Sequence, residues 1–209
     1  MVYSFTNITL FAILRLFLRK ADGIENIPKK GAFIVAANHE SYFDPLLIIA
    51  TIVPLINKKI HFLAMRGRFW NKFGDKISHD WAGCVPLDKG KEYKALKELK
   101  YLLNKKEIIG IFPEGPRSLD GNLRKGKTGI SRLVLSAKVH VLPVGLIGTY
   151  EIASNEKLIP KLKKANIRIG KPLYFNEYYN KRVTKKVLRE ITDTVMKEIA
   201  ILTNRRYEF

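Results

Sequence analysis

A single cysteine, Cys84, stands in a chain of 209 residues. No intrachain disulfide can form, so the fold must rest on its core, and a reducing compartment suits it. Four scattered histidines and that one cysteine give no metal-ligand spacing. GxxxxGK[ST] is absent, so there is no Walker-type phosphate loop. Internal repeats and low-complexity segments are missing too. Acidic residues are scarce beside basic ones, 19 against 38, leaving a formal charge of +19. A charge of that size calls for an anionic partner: nucleic acid, an anionic membrane surface or a phosphorylated substrate. The apolar start of the chain runs only to the first charge, Arg15, short of the ~20 residues that span a bilayer. Its basic residues follow the apolar stretch and no small-residue cleavage site appears, the reverse of a secretory signal. An interfacial helix over residues 1–20 is expected, with a helix docked on the core as the alternative.

What is present is a core. Hydrophobic residues are 46% and aromatics 11%, enough for one folded domain. AFIVAA (32–37) reads as a buried strand and PLLIIATIV (45–53) as a helix, with Asp44 at its N-cap and Pro45 at its first position. IHFLAM (60–65), EIIGIF (107–112), VHVLPVGLIG (139–148) and NIRIG (166–170) are further strands. Residues 91–103 put Ala95, Leu96, Leu99, Leu102 and Leu103 on one helical face, residues 128–137 suit a helix, and Val187, Ile191, Val195 and Ile199 step through a last one. Strands alternating with helices predict an α/β fold, a mostly parallel central sheet flanked by helices. Ligands then sit beyond the carboxyl ends of the strands.

Two stretches at such strand ends carry chemistry. In NHESYFDP (38–45), His39 and Asp44 are five apart, about 140° on a helix from sharing a face. They meet only if a turn joins them, and Pro45 pushes Asp44 out of helical geometry. A carboxylate on one imidazole nitrogen fixes the tautomer and frees the other nitrogen to take a proton. The plainer reading is a helix-capping aspartate and a surface histidine. In FPEGPRS (112–118), Pro113, Gly115 and Pro116 shape a loop that offers Arg117, a planar fork for phosphate. RKGKTG (124–129) adds Arg124, Lys125 and Lys127 beside glycines before a helix, a setting that suits an anion. A polar surface turn is the alternative there. AGCVPLDKG (82–90) and VLPVGLIGT (141–149) read as strands with bends, and Lys89 as either an anion contact or a solvated lysine.

In this order the four stretches resemble the glycerolipid acyltransferase family. Its NHxSxxDP motif is complete in Asn38, His39, Ser41, Asp44 and Pro45. Its GxxPxxR appears as Gly83, Pro86 and Lys89, with lysine for arginine. FPEGTRS appears as Phe112, Pro113, Glu114, Gly115, Arg117 and Ser118, with Pro116 at the threonine. Leu142, Pro143 and Val144 match the fourth motif, Lys127 falls at the lysine of FKxG, and Met65 stands where lysine is common. The resemblance runs from about residue 23 to 176. It implies an acyltransferase domain over 21–209 behind the interfacial helix of 1–20. It implies that His39 is the general base, Asp44 its orienting acid, and Glu114, Gly115, Arg117, Lys127 and Lys89 the substrate-binding set. Lysophosphatidate is the implied acceptor and phosphatidate the product, with acyl-CoA or acyl-carrier protein as co-substrate and no metal or other cofactor. Another lysophospholipid or lipid acceptor is the alternative.

These partners are all anionic and account for the charge. The expected location is peripheral, on the cytoplasmic face of the cell membrane, with RGRFWNKF (66–73) as an interfacial loop or, alternatively, a packed aromatic cluster. A basic RNA-binding protein is the rival from another class. The stretch from Lys157 onward, with 14 basic against 5 acidic residues, accommodates either. No RNP-type, KH or zinc-knuckle motif is present, so no nucleic acid is expected.

Overall fold

At the centre of the sheet, β2 (Ile34–Ala37) is buried at every residue. Ile34 and Ala36 belong to one hydrophobic core, while Phe33, Val35 and Ala37 belong to another on the opposite face. That is the period of two in a strand covered on both sides, and it explains why the sequence there is an unbroken apolar run. The structure, a computed structural model, describes residues 6–65, 74–153 and 160–209. Seven strands lie in the order β1-β7-β6-β2-β5-β3-β4. They are β1 (Leu18–Asp22), β2, β3 (Ile60–Met65), β4 (Val85–Leu87), β5 (Ile108–Ile111), β6 (Val141–Ile147) and β7 (Ala165–Ile169). All neighbours are parallel except β6 and β7. The carboxyl ends of β6, β2, β5, β3 and β4 therefore share one rim.

Helices cover both faces. On one lie α1 (Thr6–Arg15) and α2 (Asp44–Ile56). On the other lie α3 (Glu92–Asn104), α4 (Gly129–Ala137) and the longest helix, Lys185–Thr203; a short helix, α5 (Thr149–Ile152), precedes it in the chain, which makes the long one α6. In α6, Leu188, Ile191, Val195, Met196 and Ile199 are buried, each stabilising by about 1.5–3 kcal/mol. Thr184 begins it properly, its hydroxyl accepting the Val187 N–H at 3.2 Å.

Two expectations need correcting. The initial helix does not extend to residue 20: it ends at Arg15, and residues 18–22 form edge strand β1, paired with β7. Phe17 is pulled under α2, its ring 5.0 Å from that of Phe43, and this contact turns the chain. On α1, Phe11 and Leu14 are buried in the core beside α2, while Ile13, and Leu16 in the turn just after the helix, are exposed. Asp44 is not the N-cap of α2 either. Phe43 is, and Asp44 is the first helical residue, with its carboxylate turned back toward residues 39–41. Residues 66–73 lie outside the described residues. Among those described, no helix is long and apolar enough to cross a membrane.

Candidate active site

β2 ends at Ala37, and the next two residues leave the sheet in opposite ways. Asn38 is completely buried and bridges to β6: its amide donates to the Leu146 carbonyl at 2.9 Å, and its oxygen accepts the Leu146 N–H at 2.8 Å. His39 falls on the face of Phe33, Val35 and Ala37, and its ring stacks on Phe112 with centroids 3.9 Å apart. Phe112 stacks in turn on Phe62 of β3, at 5.6 Å. Gly110 makes room for this row, because a Cβ there would lie 2.3 Å from the Phe62 ring.

The turn between His39 and Asp44 brings the two together. His39 Nδ1 is 2.7 Å from Asp44 Oδ2. The same oxygen accepts the backbone N–H groups of Glu40 at 2.6 Å and Ser41 at 2.8 Å. Asp44 is fully buried, and its Oδ1 has no hydrogen-bond partner. The His39 side chain keeps 16% of its surface exposed. The carboxylate is thus immobilised by three donors on one oxygen, and the imidazole presents its other nitrogen at the rim.

The loop after β5 closes on this turn. Glu114, buried, bridges two segments: Oε1 accepts the His39 N–H at 3.0 Å and Oε2 the Arg124 N–H at 2.7 Å. Burial pushes its carboxyl up to about 7, against the downward pull of those two N–H groups. The Ser118 N–H donates to the His39 carbonyl at 2.7 Å. Asn122, through its side chain and its backbone N–H, and then Ser118 hydrogen-bond Asp120, hold its carboxyl down at about 2 and so shape the far side of the loop. Gly115 has a φ of +85°, a left-handed turn that favours glycine, and its bare Cα lets the Lys127 ammonium lie where a Cβ would be 2.9 Å away. The Lys127 N–H also donates to the Pro113 carbonyl at 2.7 Å. Arg117 lies flat over the Tyr42 ring, 3.7 Å from its centroid, which aims its fork beside the His39 turn.

His39, Asp44, Glu114, Gly115, Arg117 and Lys127 therefore come together. Lys89 stands at the border of the group, one residue before Gly90, whose N–H donates to Glu92 at 3.1 Å, and Glu92 feels the charge of Lys127. Lys89 is exposed in the turn after β4, three strands from β2 in the sheet order. Past Lys127, Lys125, Arg132, Lys185 and Arg189 extend the positive charge along a groove of ≈670 Å³ at the start of α4 and α6. Sequence reasoning gave no role to Tyr42 or Phe112, whose roles depend on which rings meet across the rim. It also missed Glu40 and Arg205, which form an ion pair across 165 residues that no local pattern announces.

Comparisons with known proteins agree with this geometry. The model of the acyltransferase family matches residues 19–147, a span that includes both the His39 turn and the Arg117 loop. The 1-acyl-sn-glycerol-3-phosphate acyltransferase of Bacillus subtilis is 28% identical over 184 residues, 87% of this chain and 86% of that protein. A chloroplastic 1-acyl-sn-glycerol-3-phosphate acyltransferase of Arabidopsis thaliana is 32% identical over 73% of this chain and 43% of its own length. The crystal structure of the 1-acyl-sn-glycerophosphate acyltransferase from Thermotoga maritima matches with a TM-score of 0.68 and 25% identity, over 97% of this chain and 78% of that one. By its motifs, its sheet and these matches, this chain is an enzyme of the acyltransferase family.

Proposed function

We propose that the enzyme transfers an acyl chain from a thioester, acyl-CoA or acyl-carrier protein, to the free hydroxyl of 1-acyl-glycerol-3-phosphate, making phosphatidate for phospholipid biosynthesis. The observation that carries this reading is His39 Nδ1 set 2.7 Å from a buried, triply bonded Asp44 oxygen. With its Nδ1–H held there, the imidazole accepts a proton at Nε2. The acceptor hydroxyl gives that proton to Nε2 as its oxygen attacks the thioester carbonyl. The C–O bond forms, the C–S bond breaks, and the proton passes to the departing thiolate. Transfer is direct, so the step asks for no nucleophilic serine, metal or further cofactor.

Arg117 and Lys127 grip the acceptor phosphate, Arg117 by its planar fork and Lys127 as a point charge above Gly115. The basic groove beyond Lys127 suits the phosphate of the thioester carrier. The exposed Ile13 of α1 and Leu16 just after it, with Leu46 and Leu55 of α2, support a peripheral position on the cytoplasmic face of an anionic membrane. Nucleic acid has no part in this reading. Acidic replacement of both Ile13 and Leu16 is expected to weaken binding to anionic vesicles.

The deciding assay offers lysophosphatidate and lysolipids with neutral headgroups in parallel, each with acyl-CoA and with acyl-carrier protein. Preference for lysophosphatidate is expected. Equal turnover of the neutral-headgroup acceptors would favour a broader lysolipid acceptor, a reading to which the exposed Met65 at the end of β3 lends support, since it brings no charge to the rim.

A further inference from the structure

The chain beyond α6 folds back onto the site. α6 ends in Asn204, whose φ of 55° is left-handed, and the Arg205 N–H returns to the Ala200 carbonyl at 2.9 Å. This helix-ending turn satisfies an orphan carbonyl and reverses the chain. Two side chains of the returning segment then reach the rim. The Arg205 guanidinium pairs with the carboxylate of Glu40, the residue next to His39. The Tyr207 hydroxyl accepts the Gly126 N–H at 3.3 Å and donates to Asp193 at 2.8 Å, which anchors the loop that carries Lys127.

Glu40 is 3% exposed, and it stands beside two other buried carboxylates, Asp44 and Glu114. Its Oε1 takes both Arg205 and the Asn38 amide, the latter at 2.7 Å, and Asn38 is fixed to β6. Its backbone N–H is one of the three donors on Asp44. Moving the Glu40 side chain therefore moves the peptide that sets the His39–Asp44 geometry. A buried carboxylate deprived of its cation does not stay where it is: it takes up water or a proton, and its surroundings shift.

We infer that Arg205 is a positioning residue, which holds the His39 turn in its reactive geometry through the charge of Glu40. This rests on the reading of His39 as the base. Arg205 lies outside residues 19–147, the span that the family model matches, in the segment that follows α6.

The test uses full-length Arg205→Ala, Arg205→Lys, Glu40→Gln and the double Glu40→Gln/Arg205→Ala, with kcat and KM for lysophosphatidate and acyl-CoA, and thermal melts. Arg205→Ala is expected to lower kcat on the order of 10- to 100-fold, as a displacement of about 1 Å at a reacting centre does, with both KM values held within about threefold. Arg205→Lys should recover part of kcat. The double variant should recover most of it, because a glutamine carbonyl still accepts the Asn38 amide and needs no cation. A folded Arg205→Ala enzyme with wild-type kcat, or a double variant as slow as the single one, would overturn the inference. If Arg205→Ala does not melt cooperatively, the double variant decides by the same criterion. His39→Ala measured alongside separates the two claims: if it turns over normally, the base assignment fails whatever Arg205 does.

Discussion

Replacing Asp44 by asparagine separates catalysis from folding at a single atom. Asp44 Oδ2 holds His39 Nδ1 and two backbone N–H groups, and Oδ1 is buried with no partner. An asparagine has two ways to sit. With its oxygen at the Oδ2 position, all three donors stay satisfied, but its amide group is buried without a partner at a cost of ~1–3 kcal/mol. The negative charge that stabilises the imidazolium is also gone. A charge-assisted bond of ~1.5–3 kcal/mol lost from the transition state lowers the rate by ~10- to 150-fold. With the amide turned the other way, its N–H groups face two backbone donors, and Nδ1 must accept instead of donate. The proton then sits on Nε2 and blocks the base, a tautomer inversion that costs about 10⁴-fold in Ser-His-Asp sites. Asp44→Asn should therefore keep a cooperative melt and lose between those two factors in kcat. Release of free CoA thiol, followed with a thiol reagent, reads this directly. Burial pushes the Cys84 thiol up to about 11, so it stays largely silent in that assay. A folded Asp44→Asn enzyme within about threefold of wild-type kcat would refute the orienting role.

Arg117→Ala should cost ~10- to 150-fold in kcat/KM with lysophosphatidate, and less with an acceptor whose phosphate carries a headgroup, while Arg117→Lys recovers only part; equal losses on both acceptors would mean that Arg117 reads no terminal phosphate. Gly110→Ala should destabilise by ~1–3 kcal/mol through its clash with Phe62 and also slow turnover, because the Phe62–Phe112–His39 row shifts; an unchanged Tm would show that the row adapts freely. Glu114 gives a pH signature. Its folded value, about 7, lies above the ordinary 4.5, so the stability it contributes is present on the acid side and is lost as pH rises through about 7. Relative to Glu114→Gln, the wild type should thus lose stability between about pH 4.5 and 7, on the order of 3 kcal/mol at most, in urea titrations. A difference that stays flat would mean that the two N–H donors keep the carboxylate ionised throughout.

The His39–Asp44 contact was legible because helical geometry forbids it: only a turn brings positions five apart together, and Pro45 supplied the reason for one. The capping role assigned to Asp44 was wrong because local preference cannot say which N–H groups a carboxylate will find. Here the upstream pair at Glu40 and Ser41 wins. Strand β1 was hidden by its composition. LRKAD has no apolar alternation, and it is held by β7, roughly 150 positions along the chain. The end of the first helix was invisible for a similar reason, since it depends on Phe17 finding Phe43. The phosphate-loop residues were readable as glycines and cations after a strand. The Glu40–Arg205 pair was not, because either residue alone looks like a solvated charge.

Single-turnover acyl transfer by His39→Ala, with lysophosphatidate binding measured on the same protein, tests the central claim most directly. The ring stacks on Phe112, whereas Arg117 rests on Tyr42 and Lys127 on Gly115, so removal of the ring should leave acceptor binding near wild type. Loss of the general base should lower the transfer rate by at least ~10²–10⁴-fold. Tight lysophosphatidate binding with no phosphatidate formed is the predicted result. Phosphatidate formed at a near-normal rate by the His39→Ala enzyme would contradict the account.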